Sequence, residues 1–313
     1  MTFCVCANKY IETMEVEWSN AKHRKQWRST LEAYAFPHIG SMAVNDIQTE
    51  HIKLCLDPIW LTKTETARRV RQRIETIIDY AIANEYRKNR NPAIWKGHLD
   101  KFYPKPNKVK EAIYEQEGRE KHLAALPYRD MPTFMTHQKG IEGMAVVALR
   151  FSILTAARSG EVRYATWTEF NLDRKEWNIP KSRMKARKAH RVALSDAAIE
   201  LLKTLPRNDS YVFPGRKRGR PINNGGMLKT IQVLGYSDIT VHGFRSTFRD
   251  YIGEETGFPH RLAEFALAHG LTDESEKAYA RGDLLKKRFT MMNAWAAFVD
   301  SDRSNVTHIS IRA

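Results

Sequence analysis

Apolar residues recur at helical spacing through the first hundred positions of the chain. Between Lys22 and Tyr34 they place Trp27, Leu31 and Tyr34 three and four residues apart, and Pro37 and Gly40 close the segment. Asp46 to Leu56 predicts a shorter helix. A longer one is predicted from Thr62, where Thr62 and Glu65 have the spacing of a capping box. Beyond it Ala67, Val70, Ile74, Ile77, Ile78, Ala81 and Ile82 keep one stripe, with Arg68, Arg69, Arg71 and Arg73 mostly off it. Asn91-Pro92 ends this helical region. From Lys101 to Pro132 the pattern is lost: Pro104, Lys105, Pro106, Lys108 and Lys110 predict an extended basic connection followed by a polar stretch. The expected organisation is a helical domain over 1–103, a linker over 104–133 and a second domain over 134–313.

In the second domain, Gly143 to Ala157 is apolar enough for a core helix. The period then shortens, and Ala165 to Leu172, Glu176 to Pro180 and His190 to Leu194 predict strands, the last two joined by a basic hairpin loop over Lys181 to Ala189. Helical patterning resumes over Asp196–Leu205, Asn224–Leu234, Gly243–Thr256, Pro259–His269 and Leu284–Val299. The fold class is therefore mainly α, with a small antiparallel β-sheet in the second domain.

Composition narrows the function. With 42% hydrophobic and 28% charged residues among 313, the chain reads as globular. Its best apolar run, Gly143 to Leu149, stops at Arg150, well short of the roughly 18 residues of a membrane span. Cys4 and Cys6, followed by Glu12, Glu15 and Glu17, lack the basic-then-apolar order of a signal peptide. Neither a membrane nor a secreted protein is expected, and a cytoplasmic, nucleoid-associated one is. Three cysteines make no disulfide framework, and Cys4-Val5-Cys6 lacks the second pair that a zinc site needs. The net charge of +15 and a pI near 9.7 call for a polyanionic partner. Lys181 to Arg220 holds 12 Lys/Arg against Asp196, Glu200 and Asp209, so this one segment carries 12 − 3 = +9. Such a patch neutralises phosphates. The arginines of the long first-domain helix form either a solvated face or a second face turned to DNA.

No Gly-rich phosphate loop, G-x-S-x-G or His-Glu-x-x-His occurs. Asp273, Glu274 and Glu276 fall within four positions of one polar stretch, which reads as a solvated turn rather than a two-metal site, so no metal or cofactor is expected. What remains is a series of cations and one tyrosine: Arg158 after the apolar helix, Lys185 in the hairpin loop, His242 and Arg245 three apart at a helix start, His269 at a helix end, then Tyr279. Singly these are a cap, a flexible lysine, a chance His-x-x-Arg, another cap and an exposed tyrosine. Their order within one domain is what is informative.

That order resembles the active-site series of the tyrosine recombinases, the phage and genomic-island integrases related to the lambda enzyme. The matching segments are Thr155-Ala156-Ala157-Arg158-Ser159-Gly160-Glu161-Val162, Arg183-Met184-Lys185, His242-Gly243-Phe244-Arg245-Ser246-Thr247, Leu267-Ala268-His269 and Ala278-Tyr279-Ala280-Arg281-Gly282-Asp283. The first domain resembles the family's helical, SAM-like core-binding domain, and the second its DNA breaking-rejoining catalytic fold. The resemblance implies that Tyr279 attacks a DNA phosphodiester to leave a 3′-phosphotyrosine and a free 5′-hydroxyl. Arg158, Arg245, His242 and His269 would hold the phosphate, Lys185 would serve as general acid with Lys181 and Lys188 as rivals, and Glu161 would orient the cations. Tyr251 is the competing nucleophile but reads as core. Contacts to DNA are expected from Arg69, Arg73, Arg183, Arg187, Lys188, Arg216, Lys217 and Arg218. The implied activity is site-specific integration or excision of a mobile element, metal- and ATP-independent. The implied assembly is a homotetramer on double-stranded DNA sites, aided by a host DNA-bending factor, and the helix over Leu284–Val299 either docks on a neighbour or packs at home. The family's N-terminal arm-binding domain is expected to be missing. The alternatives are a catalytically idle DNA-binding remnant and a type IB topoisomerase-like activity.

Overall fold

The computed structural model describes residues 1–18, 21–116, 118, 125–269 and 282–301, and the chain divides into two units, Met1–Lys121 and His122–Ala313. The first unit is built from α1 (Phe3–Met14), α2 (Ala21–Tyr34), α3 (Phe36–Ile39), α4 (Thr49–Trp60), α5 (Thr64–Ala83) and α6 (Pro106–Gln116). The α5 stripe packs inward: Ala67, Val70, Ile74, Ile77, Ile78 and Ala81 are fully buried against Phe3, Ile11, Leu31 and Leu56. Helix α1 was not anticipated, although Phe3, Cys6, Ala7 and Ile11 do share a face; Thr2 caps it through a hydrogen bond from the Val5 N–H.

Three expectations fail in this unit. Helix α5 starts at Thr64 without a side-chain cap, because the Thr62 hydroxyl donates back to the Pro58 carbonyl and Glu65 is taken by Arg68 (2.8 Å) and Arg69 (3.0 Å). The basic connection is not extended: Pro106 opens α6, where a missing N–H costs nothing, and Val109 is buried as the helix packs on α5. The arginines of α5 also divide. Arg71 pairs with Glu75 at 2.7 Å and donates to the Ala93 carbonyl. Arg73, 6% exposed, donates to the Gln26 carbonyl at 2.7 Å and lies over the Trp27 ring, with its pKa held below the ordinary value by burial. Arg73 therefore does not belong to a DNA-facing surface; the guanidinium that looks polar in the sequence is spent on backbone.

The second unit is arranged around α8 (Met144–Thr155), apolar but for Arg150, Ser152 and Thr155 and buried along most of its length. Around it stand α7 (Met131–His137), α9 (Ser159–Arg163), α10 (Asp196–Lys203), α11 (Gly226–Val233), α12 (Gly243–Glu255), α13 (His260–Ala266) and α14 (Leu285–Val299). The sheet is antiparallel in the order β1 (Phe170–Asn171), β2 (Glu176–Ile179), β3 (His190–Ala193), with Trp177 opposite Val192 and Ile179 opposite His190. The predicted first strand is mostly something else. Thr166 bridges to Tyr211, Trp167–Glu169 forms one 3₁₀ turn, and only Phe170 and Asn171 join the sheet, where Phe170 stacks on the buried Trp177. Helix α14 packs at home: Met291, Met292 and Trp295 are buried, and the Trp295 indole N–H donates to the Ile153 carbonyl at 2.8 Å. Tyr251 is stacked against Phe298 and packed beside Trp295. Among the described residues no helix is long and apolar enough to cross a membrane.

Candidate active site

Two helix ends and one helix start meet around Arg245. Helix α8 ends in Ala156, whose backbone is left-handed at φ 50°, and Ala157 follows with its carbonyl accepting the Ser152 hydroxyl at 3.1 Å. The reversal delivers Arg158 to the start of α9 in an extended conformation. Glu161, one turn on and only 7% exposed, then grips Arg158 twice: Oε2 accepts the Arg158 backbone N–H at 2.9 Å and Oε1 accepts Nη1 at 2.8 Å. This is one half of a capping box, with the carboxylate also fixing a guanidinium.

Helix α13 ends in the same manner. Ala268 is left-handed at φ 49°, its N–H donates to the Phe265 carbonyl, and the His269 N–H donates to the Glu264 carbonyl at 3.0 Å. These two bonds form a Schellman motif, which turns His269 back over the helix. There the His269 Nδ1 lies 2.8 Å from Glu264 Oε2 and its Nε2 lies 3.2 Å from Arg245 Nη2. A guanidinium only donates, so Nε2 accepts and the Nδ1–H donates to Glu264.

Arg245, in the first turn of α12 and 4% exposed, ties both ends together. Its Nη1 donates to the Ala156 carbonyl and its Nη2 to the Leu267 carbonyl, while its Nε is buried with no partner. Burial and then the charge of Arg158 bring its pKa down to about 10, which leaves it charged at neutral pH. His242, immediately before α12, is held below its ordinary pKa by partial withdrawal from solvent and then by the charges of Arg245, Arg158 and Lys185. The structure thus brings Arg245 and His269 into contact and sets Arg158 two residues beyond the Ala156 carbonyl that Arg245 holds, while the charges of Arg245, Arg158 and the exposed Lys185 are felt at His242. Tyr279 lies outside the described residues, as do Asp273, Glu274 and Glu276. Among the described residues no group of three or more His, Cys, Asp or Glu could hold a metal ion.

The cations expected to face DNA are placed unequally. Arg183 does not point outward: Nη1 is bonded to the Glu169 carboxylate and Nη2 to the Glu161 carbonyl, so it fastens the base of the hairpin beneath the Arg158–Glu161 pair. Arg187 and Lys188 are exposed on the hairpin, and Arg69 is exposed beside its partner Glu65. Arg216, Lys217 and Arg218 are exposed on a turn closed by Gly215 N–H to the Arg220 carbonyl at 2.7 Å. Arg216 and Lys217 also line a cavity of about 840 Å³ at the start of α8 and α11.

Two residues of the site were missed in the sequence. Glu264 carries no local signal beyond standing five positions before His269. His190, at the head of β3, has its pKa brought down to about 4 by burial and by the Arg288 charge, in a field that also includes Glu161 and Arg158.

Residues 3–98 match the Phage integrase central domain and residues 126–283 the Phage integrase family. The chain is 32% identical over 303 residues to the prophage integrase IntZ of Escherichia coli K12, covering 94% of this chain and 70% of that protein. It is 29% identical over 317 residues to the integrase of Enterobacteria phage P4, covering 94% and 68%. Among solved structures, a lambda integrase dimer bound to a COC′ core site superposes with a TM-score of 0.66 at 15% identity, over 87% of this chain and 96% of that one. The Tn1549 transposon integrase in complex with circular intermediate DNA gives 0.59 at 13% identity, over 90% and 100%. These two show a shared fold.

Proposed function

The chain belongs to the phage integrase family, and from that premise we propose how its site cuts and rejoins DNA. The protein is a site-specific tyrosine recombinase, a DNA strand transferase. Tyr279 is the nucleophile. Its oxygen forms a bond to the scissile phosphorus as the bond to the 5′-oxygen breaks, and Lys185 gives that oxygen a proton. His242, whose pKa is held below its ordinary value by burial and then by the neighbouring cations, is suited to take the phenolic proton. The Arg158 and Arg245 guanidinium groups meet the negative charge that spreads over the non-bridging oxygens. The phosphotyrosine keeps the energy of the bond it replaces, so rejoining to another 5′-hydroxyl needs no ATP.

The observation that carries this reading is the knot at Arg245: a buried guanidinium with an unspent Nε, set between the chain turns that present Arg158 and His269. It is built to receive one anion. The partner is double-stranded DNA carrying attachment-type sites, bound as a homotetramer with a host DNA-bending protein assisting. Solved lambda integrase is seen as a dimer on a core site and as a tetramer on a Holliday junction.

The test is to mix the protein with nicked duplexes from both flanks of its genomic element and look for a covalent protein–DNA band under denaturing conditions. The nick releases the short 5′-hydroxyl fragment and traps the intermediate. A band that vanishes in Tyr279→Phe while the gel shift persists is the expected result. A gel shift without any band would leave only a DNA-binding remnant, and relaxation of every supercoiled plasmid offered would mark a topoisomerase.

A further inference from the structure

Asp283 stands four residues after Tyr279 and is held more firmly than a helix start requires. Arg288, in the first turn of α14 and 1% exposed, donates from Nε to the Asp283 carbonyl at 2.8 Å and from Nη1 to the Arg191 carbonyl at 2.7 Å. Its Nη2 lies 3.1 Å from Asp283 Oδ2, the oxygen that also receives Arg191 Nε at 2.9 Å. Asp283 Oδ1 accepts the Leu285 N–H. Between them Leu284 is left-handed at φ 54°, a conformation that is strained for any residue with a Cβ and persists only where its surroundings impose it. A serine or aspartate cap would have started α14 at lower cost, without burying a guanidinium.

The strand in this clamp leads back to the site. Arg191 follows His190 in β3, and His190 feels the charges of Glu161 and Arg158 and bonds to the backbone of Ala266, at the end of α13. Asp283 is therefore tied to the strand whose first residue, His190, bonds to the end of α13, the helix that presents His269. We propose that Arg288 is a positioning residue for strand cleavage: with Arg191 it clamps Asp283 and fixes the point from which Tyr279 is delivered to the phosphate. This rests on Tyr279 being the nucleophile. Four residues reach at most about 14 Å, so the anchor bounds where that oxygen can be. Loosening it lowers the fraction of time spent in line with the phosphorus, and a misplacement near 1 Å can cost about 10²-fold in rate.

The test measures single-turnover covalent complex formation by the full chain on nicked duplex, alongside DNA affinity and melting temperature, for Asp283→Asn, Arg288→Met and Arg288→Lys. Each substrate is made with the ordinary 5′-oxygen and with sulfur in its place, a leaving group that needs no proton. We expect Asp283→Asn and Arg288→Met to slow cleavage about 10- to 10²-fold with affinity unchanged, Arg288→Lys to recover part of the loss, and sulfur to restore none of it. Lys185→Ala, a defect in departure rather than attack, should be restored by sulfur. Should Arg288→Met fail to fold, Asp283→Asn, which lies nearer the surface, decides alone. Cleavage at the unaltered rate in Asp283→Asn, or rescue by sulfur, overturns the proposal. A covalent band that survives Tyr279→Phe overturns the nucleophile assignment instead, and this proposal with it.

Discussion

Arg245 shows how one side chain can serve the fold and the chemistry together. Its donors hold the last carbonyls of two helices that would otherwise be orphaned in a buried place, and the same guanidinium keeps a buried Nε without a partner. His190 is the opposite case, a titratable group that the fold keeps uncharged. Its imidazole is brought to about 4 from an ordinary 6.5 by burial and the Arg288 charge. Between those two values the unfolded chain binds the proton and the folded one does not, so stability is fully present above pH 6.5 and is lost as the pH falls toward 4. The difference of 2.5 units corresponds to about 3 kcal/mol. Urea unfolding at pH 7, 6, 5 and 4 should show the native protein losing stability over that range and His190→Gln losing about 3 kcal/mol less. Parallel curves for the two proteins would mean that His190 is charged in the fold.

The helix ends decide where the reactive groups go, and two of them are left-handed alanines rather than glycines. At Ala268 the backbone bears a cost of about 1–2 kcal/mol that glycine would not, set against about 0.5–1 kcal/mol of extra chain entropy for glycine. Ala268→Gly should therefore raise the unfolding free energy measured in urea by up to about 1 kcal/mol while covalent complex formation stays unchanged, since the Schellman bonds that aim His269 come from backbone. A fall in stability would mean that packing of the Ala268 methyl outweighs the strain. Elements of this kind were legible in the sequence where an apolar stripe drives them, as in α5, α8 and α12 to α14. Helix α6 was not, because its prolines and lysines read as a connection, yet Pro106 falls at the one turn that tolerates it. The candidate series from Arg158 to Tyr279 stood out because those residue types are rare in that order. Glu264 was not, for its role depends on a Schellman turn, and Asp283 was not paired with Arg191 because the two are 92 positions apart.

Across the whole molecule, net charge said that a polyanion is the partner but not which cations meet it. Arg73 and Arg183 satisfy backbone carbonyls and a carboxylate, which a sequence cannot distinguish from reaching into solvent. The turn at Arg216, Lys217 and Arg218 is constructed otherwise. A side chain at Gly215 would meet the Pro221 carbonyl at 2.6 Å, and Gly219 has φ +68°, so glycines close the loop and leave its three cations exposed. If each neutralises one DNA phosphate, each contributes about 0.9 to the slope of log affinity against log salt. Replacing all three with Ala should flatten that slope by up to about 2.7, measured by fluorescence anisotropy on a cognate duplex between about 50 and 200 mM salt. Arg73→Met and Arg183→Met should lower the melting temperature and leave the slope of the folded protein where it was, because neither guanidinium is available to displace a counterion. A slope unmoved by the triple replacement would take this turn off the DNA-facing surface and leave Arg187 and Lys188 on the hairpin as the phosphate contacts of the basic segment.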